Sequence, residues 1–291
     1  MRALTVGGIR GGYVEKSGIR RQRSSYCNPV IRDNGQDKPS VSEIAKTENS
    51  TILKSLSATG TVAAVVVGIA SLSAGLSWGI ILIVFFLAAT AVSRIGAHAK
   101  RIATGDVVDK GGARDAWQVF ANGGPFAAAA VASVLWPSYA WQIIGIGAIA
   151  ASSADTWSTE IGTLSRHAPR SFIGLRTVPP GTSGGVTWLG MCAAVCGAAI
   201  VALAALLLGW HRSAVCAALV GGVGGALVDS ILGGTLQVRL RCPKCDKSTE
   251  RIIHVCGTTT QIVGGLHWMN NDVVNFVSSI AGALIGGACL L

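Results

Sequence analysis

Charge is scarce in this chain. Only 13% of its 291 residues are Asp, Glu, Lys or Arg, where soluble domains usually carry about 25%, and that scarcity excludes an ordinary water-facing surface. Residues 1–50 hold no apolar stretch resembling the core of a secretory signal, so the first apolar run is expected to be kept as structure. No G-K-[S/T] triplet occurs anywhere, which excludes a Walker-type nucleotide loop.

What replaces charge is apolar and small. Half of the residues are hydrophobic, 38 are glycine, and the mean hydropathy is +0.52. Apolar runs near the ~20 residues needed to cross a bilayer recur along most of the chain. The expected architecture is therefore an all-α polytopic membrane protein rather than two globular domains. The net charge of +10 would suit a nucleic-acid partner, but the basic residues stand between apolar segments. They are read as a topology signal, and no nucleic acid is expected.

Two regions are expected. Residues 1–50 are polar and basic, with Arg20, Arg21 and Arg23 clustered and little hydrophobic periodicity, the composition of a disordered tail. That tail is either a solvated extension or an arm attracted to anionic lipid head groups. Residues 51–291 form the membrane helical domain. Its apolar segments are approximately Ala58–Gly75, Leu76–Val92, Trp117–Trp136, Tyr139–Trp157, Val186–Trp210, Ser213–Leu236 and Val273–Leu291. Short breaks at Gly75–Ser77, Pro137–Ser138 and His211–Arg212 pair the first six into three hairpins, leaving a single final helix.

Three hairpins place the long loops, roughly 93–116, 158–185 and 237–272, on one side with the N-terminus. Cytoplasmic loops retain Lys and Arg, and of the 24 Lys and Arg only Arg212 falls on the other side. An integral membrane protein with its N-terminus and long loops in the cytoplasm is expected.

Acids at a membrane boundary need a reason, because a charged side chain in hydrocarbon costs at least ~2.5 kcal/mol. Asp155 and Glu160 flank the end of the fourth segment, Asp229 lies within the sixth, and Asp272 opens the seventh. Carboxylates converging on one face suit Mg2+, which prefers a few carboxylates, waters and substrate phosphates to an all-protein cage. Pairing with loop arginines and no metal is the alternative. The loop VPPGTSGG, with Gly181, Thr182, Ser183, Gly184 and Gly185, precedes a helix whose N-terminal N–H groups attract anions; alone it reads equally as a turn. Arg166, Arg170 and Arg176 before it match phosphate geometry or serve topology alone. Arg114, Gln118 and Asn122 recur every four residues, one stripe on a helix, either a solvated face or buried groups needing partners. Asn271 and Asn275 flank Asp272 in the same manner.

The four cysteines inside apolar segments, Cys192, Cys196, Cys216 and Cys289, are expected to behave as small hydrophobes, and Cys27 stands alone in the tail. Cys242-Pro-Lys-Cys245 followed by His254 and Cys256 offers the ligands of a Cys3His Zn2+ site within 237–272. Reduced non-ligating thiols and redox chemistry are the other readings.

Six segments in order, RDAWQVFANGG, ADTWSTEIGTLS, PPGTSGGVTWLG, DSILGGTLQ, CPKC with HVCG, and NNDVVNFVSS, together resemble the DUF92 membrane family, which includes TMEM-nineteen-like proteins and plant phytyl-phosphate kinase. The likeness runs from about Lys54 to the C-terminus. It implies phosphoryl transfer from a nucleoside triphosphate, CTP or ATP, to an isoprenoid monophosphate such as phytyl phosphate, giving the diphosphate. On that reading Asp155, Glu160, Asp229 and Asp272 are expected as the catalytic acids, with Asp155, Asp229 and Asp272 on Mg2+. Arg114, Gln118, Asn122, Arg166, Arg170, Arg176, the Gly181–Gly185 loop, Asn271 and Asn275 are implied to bind and orient phosphates. Two competing readings remain: a transporter or lipid flippase, whose acids would lie at the bilayer midplane, and a lipid-phosphate cytidylyltransferase built from similar groups.

Overall fold

The structure is a computed structural model, and it describes residues 55–105, 107, 112–172 and 174–290; the tail expected at 1–50, Cys27 included, lies outside them. Eight α-helices occur among the described residues: α1 Ala58–Leu72, α2 Leu76–Arg94, α3 Ala97–Thr104, α4 Ala116–Leu135, α5 Ala140–Gly162, α6 Trp188–Leu207, α7 Arg212–Thr235 and α8 Asn271–Gly287. Their starts follow the sequence. Ser57, Thr187 and Asn270 accept hydrogen bonds from the backbone of Gly60, Gly190 and Val273, and Asp115 with Gln118 forms a reciprocal capping box, each cap replacing a partner that the first helical turn lacks.

Among the described residues five helices are long and apolar enough to cross a membrane: α2, α4, α6, α7, and α8 with the turn that follows it. At 15 residues α1 is shorter, and α5, although 23 residues long, is too polar towards its end to count among them. The packing explains why. α5 is the central helix, touching α2, α4, α6, α7 and α8, so its polar face meets protein instead of lipid. The stretch Gly145–Ala154 is buried throughout and consists of small residues apart from Ile146 and Ile149. Small side chains are what let helix backbones approach in lipid. A Cβ on Gly147 would lie 2.5 Å from the Gly282 carbonyl oxygen, and Gly221 meets the same oxygen, so α5, α7 and α8 close on one another through glycine. Three serines of this seam donate across helices: Ser152 to the Asn122 carbonyl (2.9 Å), Ser153 to Gly197 (2.8 Å) and Ser279 to Ala148 (3.1 Å). At one end of the bundle Trp78 packs against Phe126 and Trp210, centroids 5.0 and 4.9 Å away.

Three connections differ in content from the sequence reading. The first carries the amphipathic helix α3, whose Lys100 is buried. The second holds a two-stranded ribbon, β1 Arg170–Ser171 with β2 Gly185–Val186. The third is no plain loop: β3 Arg239–Cys242, β4 Lys247–Thr249 and β5 Gln261–Gly264 make an antiparallel sheet with β3 in the middle. Leu240 and Cys242 alternate with exposed Arg239 and Arg241, the period of a strand, which a search for apolar runs passes over. The three connections meet at one end of the bundle: Glu250 N–H donates to the Val107 carbonyl (2.8 Å), and Ser183 Oγ donates to Glu250 Oε1 (2.6 Å). Helix α5 also runs past the expected limit at Trp157 to Gly162, so Glu160 stands on the helix itself.

Candidate functional site

Asp155 on α5 and Asp229 on α7 face one another across the glycine seam, their carboxyls within hydrogen-bonding reach. Gly225, one turn before Asp229, makes this approach possible, since a Cβ there would collide with Ala151 and sit 2.9 Å from the Ser278 carbonyl oxygen. Ser278 Oγ of α8 donates to Asp229 Oδ2 at 3.0 Å. Two carboxylates in contact repel unless a cation or proton lies between them. Asp272 and Asn271 open α8, and Asp272 is six residues, about 9 Å of helix rise, before Ser278. Ser278 is the α8 side chain seen to bond Asp229, and the sequence reading missed it. Asn275 enters through its backbone, its carbonyl accepting from Ser278 Oγ at 3.0 Å.

Glu250, also missed, faces Asp229 electrostatically and is held by Ser183 and by Gln237 Nε2 at 3.1 Å. Its only sequence signal is its place in a motif-rich loop. The glycine loop lies against the end of α7: Gly184 takes φ +73°, and a Cβ there would strike the Gly234 backbone and come within 2.7 Å of the Ser230 carbonyl oxygen. The loop therefore lies one turn beyond Asp229, and Gly184 is required by that close packing. Gly181 also has positive φ, +83°, and Thr182 closes turns through its backbone (Thr182 N–H to Pro179, Gly185 N–H to Thr182).

Glu160 is paired differently from the expectation. Lys100 Nζ makes a short contact with Glu160 Oε2 and donates to the Val92 and Ser93 carbonyls at 3.3 and 2.8 Å. Arg114 stands nearby: its Nη1 donates to Thr90 (3.2 Å), its Nη2 to Ser93 Oγ (3.3 Å), and it overlies the Phe86 ring. Burial is the larger influence on this guanidinium and draws its pKa below the ordinary value, while the Glu160 charge acts in the opposite sense. Gln118 is taken up by the capping box, and Asn122 Nδ2 donates to the Gln118 carbonyl at 2.9 Å. Arg166, Arg170 and Arg176 are exposed on the second connection, and the structure does not bring them into the hydrogen-bonded set around the carboxyl pair.

Arg114, Gln118, Asn122 and Thr156 form the polar part of a cavity of about 230 Å³ between α1, α2 and α4. The remaining wall is apolar, with Val67, Gly68, Leu82, Phe85 and Phe86 among its residues. Thr156 adjoins Asp155, so the cavity and the carboxyl pair lie on neighbouring faces of α5.

Separately, Cys242, Cys245, His254 and Cys256 bring one ligand atom each within 4.8 Å of one another. Hydrogen bonding with Thr258, and next with His254, holds the Cys256 thiol down at about 5, favouring the thiolate, the metal-binding form.

The sequence profile described as integral membrane protein DUF92 matches residues 47–283. The chain belongs to this family. DUF92 membership covers the carboxyl pair, the glycine loop, the cysteine cluster and nearly all of α8. Among similar proteins, protein PGR of Arabidopsis thaliana is 32% identical over 259 residues, covering 77% of this chain and 85% of that protein. An uncharacterized membrane protein of Methanocaldococcus jannaschii is 30% identical over 213 residues, covering 73% of this chain and 76% of its own length. No solved structure matches.

Proposed function

We propose that this DUF92 protein is a membrane kinase that transfers a phosphoryl group from CTP or ATP to an isoprenoid monophosphate, producing the diphosphate. The observation that carries this reading is the mostly apolar cavity whose polar part is Arg114, Gln118, Asn122 and Thr156, one residue along α5 from Asp155. An isoprenoid chain suits the apolar wall and its phosphate suits the guanidinium. Arg114 spends two of its N–H donors on Thr90 and Ser93, and a guanidinium has five, so it binds phosphate while already oriented.

Transfer between two phosphorylated molecules is mostly a matter of positioning and charge neutralisation. Asp155 and Asp229 would hold Mg2+, whose preference for oxygen donors they fit. The ion would supply neutralisation of triphosphate charge. Ser278 orients the Asp229 carboxyl, and the glycine loop, docked one turn from Asp229 through Gly184, is placed to offer backbone N–H groups to the donor. Lys100 pairs with Glu160 and so offsets a like charge that the acceptor phosphate would otherwise face. We further propose seven crossings, with the end where the three connections meet in the cytoplasm, because the basic residues gather there.

The test is a screen of purified protein with CTP or ATP labelled at either the α or γ phosphate and with phytyl or farnesyl monophosphate. Kinase action moves the γ label into a prenyl diphosphate. Transfer of the α label indicates cytidylyl or adenylyl transfer, and lipid-phosphate flux in proteoliposomes without nucleotide indicates a flippase.

A further inference from the structure

We propose that Cys242, Cys245, His254 and Cys256 bind one Zn2+ in a closed tetrahedral site, and that this ion fixes the 237–270 connection so that Glu250 can hold the other two connections in place. The proposal does not rest on the kinase reading.

Two of the ligand separations are close to the edges of a tetrahedral zinc site. With Zn–S near 2.3 Å and Zn–N near 2.0 Å, the S···S edge is about 3.8 Å and the N···S edge about 3.5 Å. Cys242 Sγ and Cys256 Sγ are 3.6 Å apart, and His254 Nδ1 is 3.2 Å from Cys256 Sγ. A sulfur separation of 3.6 Å is far from the ~2.05 Å of a disulfide. Cys242, at the end of β3, and His254, in the turn between β4 and β5, are almost wholly buried, at 0% and 2% exposure. Thiolate and imidazole donors select Zn2+ over Mg2+ or Ca2+.

The backbone supplies the two halves as separate turns. Cys242 ends β3 and Cys245 lies in the turn to β4, where Asp246 takes a left-handed φ of +55° and its N–H donates to the Cys242 carbonyl at 2.9 Å. His254 and Cys256 occupy a second turn, closed by the His254 N–H to Thr258 and the Gly257 N–H to His254. Thr258 Oγ1 contacts Cys256 Sγ at 3.4 Å, a partner of the kind that orients a metal ligand. Three thiolates and one neutral imidazole give the loaded site a net charge of −1, and Arg239, Arg241, Lys244, Lys247 and Arg251 in the same segment offset it.

Glu250 lies between the two ligand pairs in sequence. Its backbone N–H holds Val107 of the first connection, and its carboxylate holds Ser183 of the second. With the two turns joined through one ion, Glu250 is fixed from both sides; without it, short β-strands and local hydrogen bonds such as that from Gln237 Nε2 (3.1 Å) remain to do so.

The experiment is metal analysis of the full-length protein purified in detergent. About one zinc per chain is expected for the unaltered protein and for Cys192→Ser, and less than about a tenth for Cys242→Ser and Cys256→Ser. Should the variants not fold, the unaltered protein decides: an organomercurial should release the zinc stoichiometrically, and Co2+ replacement should give the visible bands and thiolate charge-transfer absorption of a tetrahedral site. Stripped protein should also gain protease cleavage at Arg239–Arg251, reversed by Zn2+ and not by Mg2+. Zinc far below one equivalent after growth and refilling in zinc, an octahedral Co2+ spectrum, or a Cys242–Cys256 disulfide found by mass spectrometry would overturn the proposal.

Discussion

Replacing Lys100 by Met tests the least anticipated contact of the structure. Lys100 keeps 10% of its side chain exposed and Glu160 keeps 27%. Breaking a fully buried ion pair from one side costs about 3–5 kcal/mol; the exposure of Glu160 admits solvent screening, so Lys100→Met should lower unfolding free energy by about 2–3 kcal/mol. Part of that loss belongs to the Val92 and Ser93 carbonyls at the end of α2, which lose a cationic donor that suits a helix C-terminus. Glu160→Gln leaves those bonds in place and should cost less, about 1–2 kcal/mol. The double variant should therefore be more stable than the two losses added together, by about 1–2 kcal/mol. Reversible unfolding in mixed detergent micelles, measured for all four proteins, gives the coupling. A value below about 0.5 kcal/mol, the scatter of additive sites, would show that the two residues do not act as a pair.

The other expectations concern the glycines and the cavity. Gly184→Ala combines a left-handed backbone with a collision against Gly234 and should destabilise by at least about 2 kcal/mol. Gly234→Ala finds its nearest neighbour at an ordinary 3.7 Å and sits in a helix, so unfolding measurements should find it neutral or stabilised by up to about 1 kcal/mol. Gly68 lines the cavity with nothing within 4 Å of a new Cβ; Gly68→Leu should lower kcat/KM for a long-chain isoprenoid phosphate by about 10–100-fold, mainly through KM, as expected when a pocket loses room for a few methylenes. A shorter isoprenoid phosphate should be less affected. Ser278→Ala removes the donor to Asp229 and should lower kcat while leaving KM for the lipid phosphate unchanged.

The helical plan was legible because lipid imposes a simple rule: apolar runs long enough to cross, with breaks between them. The breaks at Ser73–Gly75, Trp136–Tyr139 and Leu208–His211 fall at or beside the expected hinges. Composition was a poorer guide to α5, whose polarity reflects its surroundings, since a helix enclosed by five others need not satisfy lipid. Asp155 and Asp229 were legible as acids in apolar segments, and their meeting follows from small residues on α5, α7 and α8 that the sequence also displays. Ser278 gave no comparable signal, because one serine among small residues reads as packing. Glu250 and Lys100 gave none either: each belongs to a connection whose fold depends on long-range contacts, with Val107 and Ser183 for one and Glu160 for the other. Arg166, Arg170 and Arg176 read from the sequence either as phosphate ligands or as topology signals, and they stand exposed on the second connection.

The most direct test of the account is transfer of the γ-phosphate label from CTP or ATP to phytyl or farnesyl monophosphate by the purified protein with Mg2+, beside Asp155→Asn under the same conditions. The account predicts labelled prenyl diphosphate from the unaltered chain and a loss of about 10²–10³-fold in kcat for Asp155→Asn, the scale of removing one group that stabilises transition-state charge. Diphosphate formation undiminished in Asp155→Asn, or none from the unaltered protein with either nucleotide and any isoprenoid monophosphate, would contradict it.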